Sequence, residues 1–235
     1  MIIEITAIVA TLILGYLFGS IPSAVWIGKR YYGVDIREHG SHNAGTTNML
    51  RVLGKKAAIP VFGLDYFKGF VGVTLVKLLA YLPETTPQIT IYVQLAAVAV
   101  TVLGHIFPIF AGFRGGKGVA TIVGAITAIE PAIMLLCFAV WFIIFLIWHY
   151  VSLASMVAGC VYPALTIYFF RDNSNAIPLI IFSFLVALML ILTHRKNISR
   201  LRAGTESKIY VWRKKDKGNP AQESTDGEDI DELLN

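Results

Sequence analysis

Long apolar blocks, each long enough to cross a bilayer, alternate with short stretches where polar residues crowd together. This alternation constrains the chain more than any other feature. A helix needs about 20 apolar residues to span the hydrocarbon core. Inside lipid, only helices and closed barrels satisfy the backbone. The blocks run over residues 2–27, 57–82, 90–110, 119–150, 151–170 and 176–192. With 56% hydrophobic and 15% charged residues, an ordinary soluble domain is excluded. The expected fold class is an all-α polytopic membrane protein. The block at 119–150 accommodates one long tilted span, or two short ones split at Glu130-Pro131. Pro131 favours the split, because the residue before a proline resists the helical conformation. No cationic segment precedes the first block and no small-x-small site follows it, so it reads as a retained span rather than a cleaved signal.

Cations fix the expected orientation. They crowd residues 29–56, Arg114 to Lys117 and the segment after His194, whereas the turn from Pro83 to Pro87 has one negative charge and no positive one. The positive-inside rule places the three cation-rich stretches in the cytoplasm. Seven transmembrane helices, with the N-terminus outside and the C-terminus cytoplasmic, put all three on that side; six would strand the last. The chain therefore reads as a membrane domain, 1–213, and a charged, disordered tail, 214–235. The net charge of +5 speaks for orientation and lipid contact, not nucleic acid. Cys137 and Cys160 both lie in apolar blocks, and no histidine or cysteine spacing indicates a metal.

The polar islands carry the chemistry. In the first, Gly40-Ser41-His42-Asn43-Ala44-Gly45-Thr46-Thr47-Asn48 is followed by Arg51. Such a loop can aim backbone N–H groups, hydroxyls, amides and a guanidinium at an anion, although a solvated inter-helix loop has the same composition. The second sets Arg114 and Lys117 among Gly112, Gly115, Gly116 and Gly118. It is not a nucleotide-binding P-loop, because Ala111 and Gly118 stand where that motif needs glycine and a hydroxyl. The third holds His194, Arg195, Asn197, Arg200 and Glu206; its outer cations also suit a grip on anionic lipid. Asp65 and Lys68, three apart inside a span, read as a pair, and His105, near the end of the third span, as a residue that caps the helix or bonds a carbonyl.

Three stretches resemble the motifs of the PlsY family, bacterial integral-membrane acyl-phosphate:glycerol-3-phosphate acyltransferases. They are 35–48 with Arg51, Gly104-His105-Ile106-Phe107-Pro108 on to Gly115-Gly116-Lys117-Gly118-Val119-Ala120-Thr121, and 194–201 with Gly204 and Glu206. Gly19-Ser20-Ile21-Pro22 matches too, and the resemblance extends to about Trp212. One departure is His42, where the family carries glycine.

The resemblance implies transfer of a fatty acyl group from acyl phosphate to the 1-hydroxyl of sn-glycerol 3-phosphate, giving lysophosphatidic acid and inorganic phosphate. No cofactor is needed. The setting is the bacterial cytoplasmic membrane, with membrane lipids as surroundings. The implied catalytic residues are Ser41, Arg51, Lys117 and His194. The implied substrate-binding residues are Gly40, Asn43, Gly45, Thr47, Asn48, Gly115, Gly116, Ser155, Asn197 and Glu206. Ser41, Asn43 and Arg51 would surround the acyl phosphate's phosphate, and Lys117, His194 and Asn197 would hold glycerol 3-phosphate, with Ser155 beside it. The positions five after His39, His42, His105, His149 and His194 are Ala44, Thr47, Phe110, Ala154 and Ser199, so the His-x4-Asp pair of soluble-type acyltransferases is missing. Substrate-assisted transfer is the expectation, and a covalent Ser41 intermediate is its rival. Two other classes fit parts of the pattern: an organic-phosphate transporter and a lipid-binding scaffold.

Overall fold

The computed structural model describes residues 2–83, 85–173 and 176–210. The tail expected to be disordered, 214–235, lies outside the described residues. Those residues form helices and connecting loops, with no strand among them. In chain order the helices are α1 (Ile2–Gly19), α2 (Ser23–Tyr32), α3 (Thr46–Val52), α4 (Lys55–Thr74), α5 (Pro87–Ile106), α6 (Val119–Ile129), α7 (Pro131–Trp148), α8 (Val151–Phe170), α9 (Ala176–Thr193) and α10 (Arg195–Arg202). Six helical segments are long and apolar enough to cross a membrane, and α6, at 11 residues, is shorter. Large apolar side chains such as Ile13, Phe67, Leu135 and Phe184 are exposed around them, as lipid contact requires.

Three boundaries differ from the sequence expectation. The first span is not continuous to residue 27. Helix α1 stops at Gly19, and Pro22 precedes α2 with φ −90° and ψ 70°. Proline lacks an N–H and pushes its predecessor out of the helical region, which leaves the Ile21 carbonyl outside the helical ladder; it accepts from Lys68 Nζ at 2.8 Å. The first polar loop contains α3, a two-turn helix that brings Arg51 back toward Ser41. The second span passes from α4 into a 3-10 helix at Leu75–Tyr81. The break at Glu130-Pro131 forms as expected, with Pro131 at the first position of α7.

Close packing at glycines holds the bundle together. Lipid tails are as apolar as leucine, so helix association rests on shape and close approach rather than on hydrophobic burial. A Cβ on Gly19 would lie 2.0 Å from the Thr101 carbonyl oxygen, so α1 and α5 touch backbone to backbone. The same holds between α4 and α6, where a Cβ on Gly69 would lie 2.0 Å from the Thr121 oxygen. Helices α7, α8 and α9 pack in sequence, and a cavity opens between them and the α4–α6 pair.

Candidate active site

All three polar islands meet at one end of the bundle. Arg37 pairs with Asp35 through two bonds, at 2.9 and 2.7 Å, and reaches across to donate to the Ala111 carbonyl at 2.8 Å, tying the first loop to the second. These bonds from Arg37 hold the Asp35 carboxyl well below the usual carboxylate range, against the opposing effect of burial; Lys29 adds to them. Within the first loop Asn48 is the organiser. Its Oδ1 accepts from the Ser41 backbone at 2.8 Å, and its Nδ2 donates to the Ile36 and His39 carbonyls, both at 3.0 Å. Arg51 Nη1 also reaches Asn48 Oδ1, at 3.4 Å. Asn48 thus shapes the loop that presents Ser41, Asn43 and Thr47, instead of offering a free amide of its own.

The third island is wired through Glu206. Its Oε1 accepts from Ser152 Oγ at 2.7 Å and Asn197 Nδ2 at 2.6 Å, and its Oε2 from Arg200 Nε at 2.6 Å. Burial pushes this carboxyl up, but those three bonds and the charge of Arg200 outweigh it and hold it below its ordinary value. Asn197 Oδ1 in turn accepts a close hydrogen bond from Lys117 Nζ, which joins the second loop to the third. With both oxygens engaged, Glu206 holds its donors in place rather than facing an anion. The segment after α10 closes over the site, and the Ile209 N–H donates to the His149 carbonyl at 2.9 Å.

Two basic side chains are tuned by this setting. Burial lowers Lys117 to about 8, with the charges of Arg200 and Arg51 adding to the effect and Glu206 opposing it. Burial and then Lys117 lower His194 to about 4. His194 Nδ1 lies 2.8 Å from the Leu190 carbonyl. A carbonyl only accepts, so Nδ1 carries the proton and Nε2 is left as an acceptor.

The resulting cavity has a volume of about 320 Å³. Its mouth is lined by Ser41, Asn43, Gly45, Thr47, Asn48, Arg51, Lys117, His194, Asn197 and Glu206, and Ser155 lies on its wall. Gly40, Gly115 and Gly116 are not in the wall; they shape the loops behind it. Ser155 Oγ is already committed, donating to Val151 and accepting from Trp141 Nε1 at 3.2 Å. Below the mouth the cavity continues as an apolar slot past Val123, Ile126, Met134, Phe138 and Tyr162. Sequence reasoning missed Ser152 and Trp141, for which no local signal exists. It read Asp65 and His105 as unrelated residues, yet both reach the wall. Their signal was visible, since ionisable residues within spans mark functional positions. Among the described residues no group of acidic, cysteine and histidine side chains forms a metal site.

Six helical segments long and apolar enough to cross a membrane, with cations clustered over an apolar slot, mark the class: an integral membrane protein with a polar site above an apolar cavity. Residues 9–204 match the family described as glycerol-3-phosphate acyltransferase, and the chain belongs to that family. The glycerol-3-phosphate acyltransferase of Thermoanaerobacter sp. (strain X514) is 42% identical over 201 residues, covering 86% of this chain and 95% of the relative. Two crystal structures of PlsY, described as an integral membrane glycerol 3-phosphate acyltransferase, share the fold. The glycerol 3-phosphate form has a TM-score of 0.74 at 35% identity, covering 86% of this chain and 96% of that one. The lysophosphatidic acid form has a TM-score of 0.71 at 34% identity, covering 86% and 95%.

Proposed function

We propose that this protein transfers a fatty acyl group from acyl phosphate to the 1-hydroxyl of sn-glycerol 3-phosphate, releasing lysophosphatidic acid and inorganic phosphate. The observation that carries this reading is a single cavity whose polar mouth gathers cations from three loops and whose floor is an apolar slot. Both substrates bear phosphate and one bears a hydrocarbon chain, so the mouth suits the heads and the slot suits the chain. The solved relatives are described in glycerol 3-phosphate and lysophosphatidic acid forms, which are the acceptor and the product of this reaction.

In the proposed arrangement Ser41, Asn43 and Arg51 hold the phosphate of the acyl donor, and Lys117, His194 and Asn197 hold glycerol 3-phosphate. The acceptor's hydroxyl oxygen attacks the acyl carbonyl carbon, forming the ester bond while the bond from that carbon to the phosphate oxygen breaks. The hydroxyl proton passes to the departing phosphate. The protein's part is alignment, which supplies roughly 7–11 kcal/mol in favourable cases, and stabilisation of the developing oxyanion. A covalent Ser41 intermediate needs an adjacent base. Among the described residues none bonds to Ser41 Oγ, and the nearby His42 turns its Nδ1 to the Arg37 carbonyl at 3.2 Å. Direct transfer is therefore the reading adopted.

The same reading places the chain in the bacterial cytoplasmic membrane with seven spans, the N-terminus outside and the site facing the cytoplasm. Helix α6 leaves the site end just after Lys117, and α7 returns to it at His149, so the short α6 serves as a separate pass. At about 1.5 Å per residue it rises roughly 16 Å, and it requires the neighbouring loops to dip into the membrane.

The test is phosphate release by purified protein given palmitoyl phosphate, with and without sn-glycerol 3-phosphate, and with an acyl thioester in place of acyl phosphate. Release that depends on the acceptor and yields lysophosphatidic acid is expected, with no turnover of the thioester. Equal or better use of the thioester would refute the donor assignment. Lys117→Ala is expected to lower kcat/KM for glycerol 3-phosphate by about 10–10², the loss expected when one charge-assisted contact to a phosphate, worth about 1.5–3 kcal/mol, is removed. Full activity in that variant would remove Lys117 from the site.

A further inference from the structure

Asp65, Lys68 and His105 lie inside the bundle at 2%, 4% and 6% exposure, and the proposed reaction uses none of them. Lys68 Nζ is 2.9 Å from Asp65 Oδ1 and donates to the Ile21 carbonyl freed at the break between α1 and α2. The same Asp65 Oδ1 is 3.7 Å from His105 Nδ1 on α5. On its other edge His105 supports the second loop. A Cβ on Gly116 would stand 2.1 Å from His105 Nε2 and 3.0 Å from the Ala44 carbonyl oxygen of the first loop. The Gly116 N–H donates to the His105 carbonyl at 3.2 Å, and the Gly115 N–H to that of Ile106 at 3.1 Å. Mutual neutralisation of charges in a span accounts for Asp65 and Lys68. It does not account for a third member that ends directly beneath the residue preceding Lys117.

We propose that the Lys68–Asp65–His105 string is a positioning element: it holds Gly116 against Ala44, and so aims Lys117 at the phosphate of glycerol 3-phosphate. This rests on the reading of Lys117 as a ligand of that phosphate. His105 acts through the loop, not on the substrate, because Nε2 abuts the Gly116 backbone. The charged groups Arg51, Lys117, Arg200 and Glu206, with His194, also line the cavity. Asp65 and His105 touch the wall as well, and the contact of His105 with Gly116, one residue before Lys117, is the link from the string to the mouth.

The experiment measures steady-state kinetics of the full chain in detergent for His105→Gln, Asp65→Asn and the double variant. Asp65→Asn leaves Lys68 buried without its carboxylate, so Asp65→Asn/Lys68→Met is run beside it. KM for glycerol 3-phosphate should rise about tenfold in His105→Gln, with kcat and the acyl phosphate KM within about threefold. The double variant should be no worse than the more affected single one, as residues acting in one chain are not additive. A fall in kcat of about a thousandfold at unchanged KM would make His105 a proton acceptor and overturn the proposal. A lower melting temperature with every KM unmoved would make the string merely structural and overturn it as well. Lys117→Ala, run in parallel, separates the two ideas. An unmoved glycerol 3-phosphate KM there removes the reading of Lys117 and the proposal with it. A raised KM there, beside a normal one in His105→Gln, overturns the string alone.

Discussion

The body of the bundle and its loop end are built on opposite principles. In the body the helices touch where side chains are absent: Gly19 receives the Thr101 carbonyl, and Gly69 receives that of Thr121. At the loop end, polar side chains do the joining. Arg37 links loop one to loop two, Lys117 links two to three, and Glu206 gathers Ser152, Asn197 and Arg200. The difference follows from the solvent each region meets. In lipid, shape is the available source of helix affinity. At the loop end the clustered cations repel one another, and a carboxylate with three donors offsets that cost while leaving the cluster net positive for a phosphate.

The contrast makes its strongest prediction at the glycine contacts. Gly69→Leu forces α4 away from α6, because the added atoms meet backbone that has nowhere to move. Overpacking of this kind costs about 1–3 kcal/mol or more, and here it should abolish the folded, monodisperse protein in size-exclusion chromatography. Normal yield and melting temperature would show that glycine contacts do not hold the body. The next effect belongs to Glu206. Glu206→Ala strands Arg200 and frees Asn197, and should lower stability by about 2–4 kcal/mol, partly reduced because Arg200 keeps contact with water. It should also abolish turnover. A variant that keeps its melting temperature yet loses activity would instead place Glu206 on the substrate.

Much of this architecture is legible in the chain. The apolar blocks, the break at Pro131 and the shared face of the polar islands all follow from composition and charge, because lipid imposes one-dimensional rules on helix length and loop charge. What escapes is whatever depends on a partner distant in sequence. Gly15 and Gly19 are visibly four apart, yet the chain does not name α5 as the helix they receive. Asn48 and Glu206 read as substrate ligands, because a polar residue in a polar loop looks the same whether its hydrogen bonds go inward or outward. Asp65 and His105 stand 40 residues apart on different helices. A search for an acid five residues after a histidine cannot find a pair assembled by packing.

A smaller effect sharpens the electrostatic side of the comparison. Lys117 titrates at about 8 in the ligand-free protein, so its positive charge is present below that pH and lost above it. The value of kcat/KM for glycerol 3-phosphate reports groups of the free enzyme, and should fall about tenfold per unit as pH rises beyond 8. His194, lowered to about 4, is neutral throughout the working range and adds no second inflection near neutrality. Lys117→Arg keeps its charge at high pH, so its profile should lose the alkaline limb even if its maximum is lower. An alkaline limb that survives in Lys117→Arg would assign the titration to another group.

The least disruptive test concerns the departure at His42. Its φ of +57° lies in the left-handed region that glycine occupies without penalty, so the glycine expected here from the resemblance would suit this backbone better. For other residues that conformation costs roughly 1–2 kcal/mol. The Nδ1 contact to the Arg37 carbonyl, in an exposed setting, returns part of it. Glycine also loses more chain entropy on folding. With about 0.4–1 kcal/mol of that strain offset by the glycine's entropy, the balance for His42→Gly is a gain of about 0.5 kcal/mol, seen as a small rise in melting temperature with kcat and both KM values unchanged. A loss of stability would mean that the His42–Arg37 bond outweighs the backbone strain, so that this chain has replaced a conformational solution with a hydrogen-bonded one. A change in KM for acyl phosphate at unchanged stability would show that the imidazole also acts at the loop that presents Ser41 and Asn43.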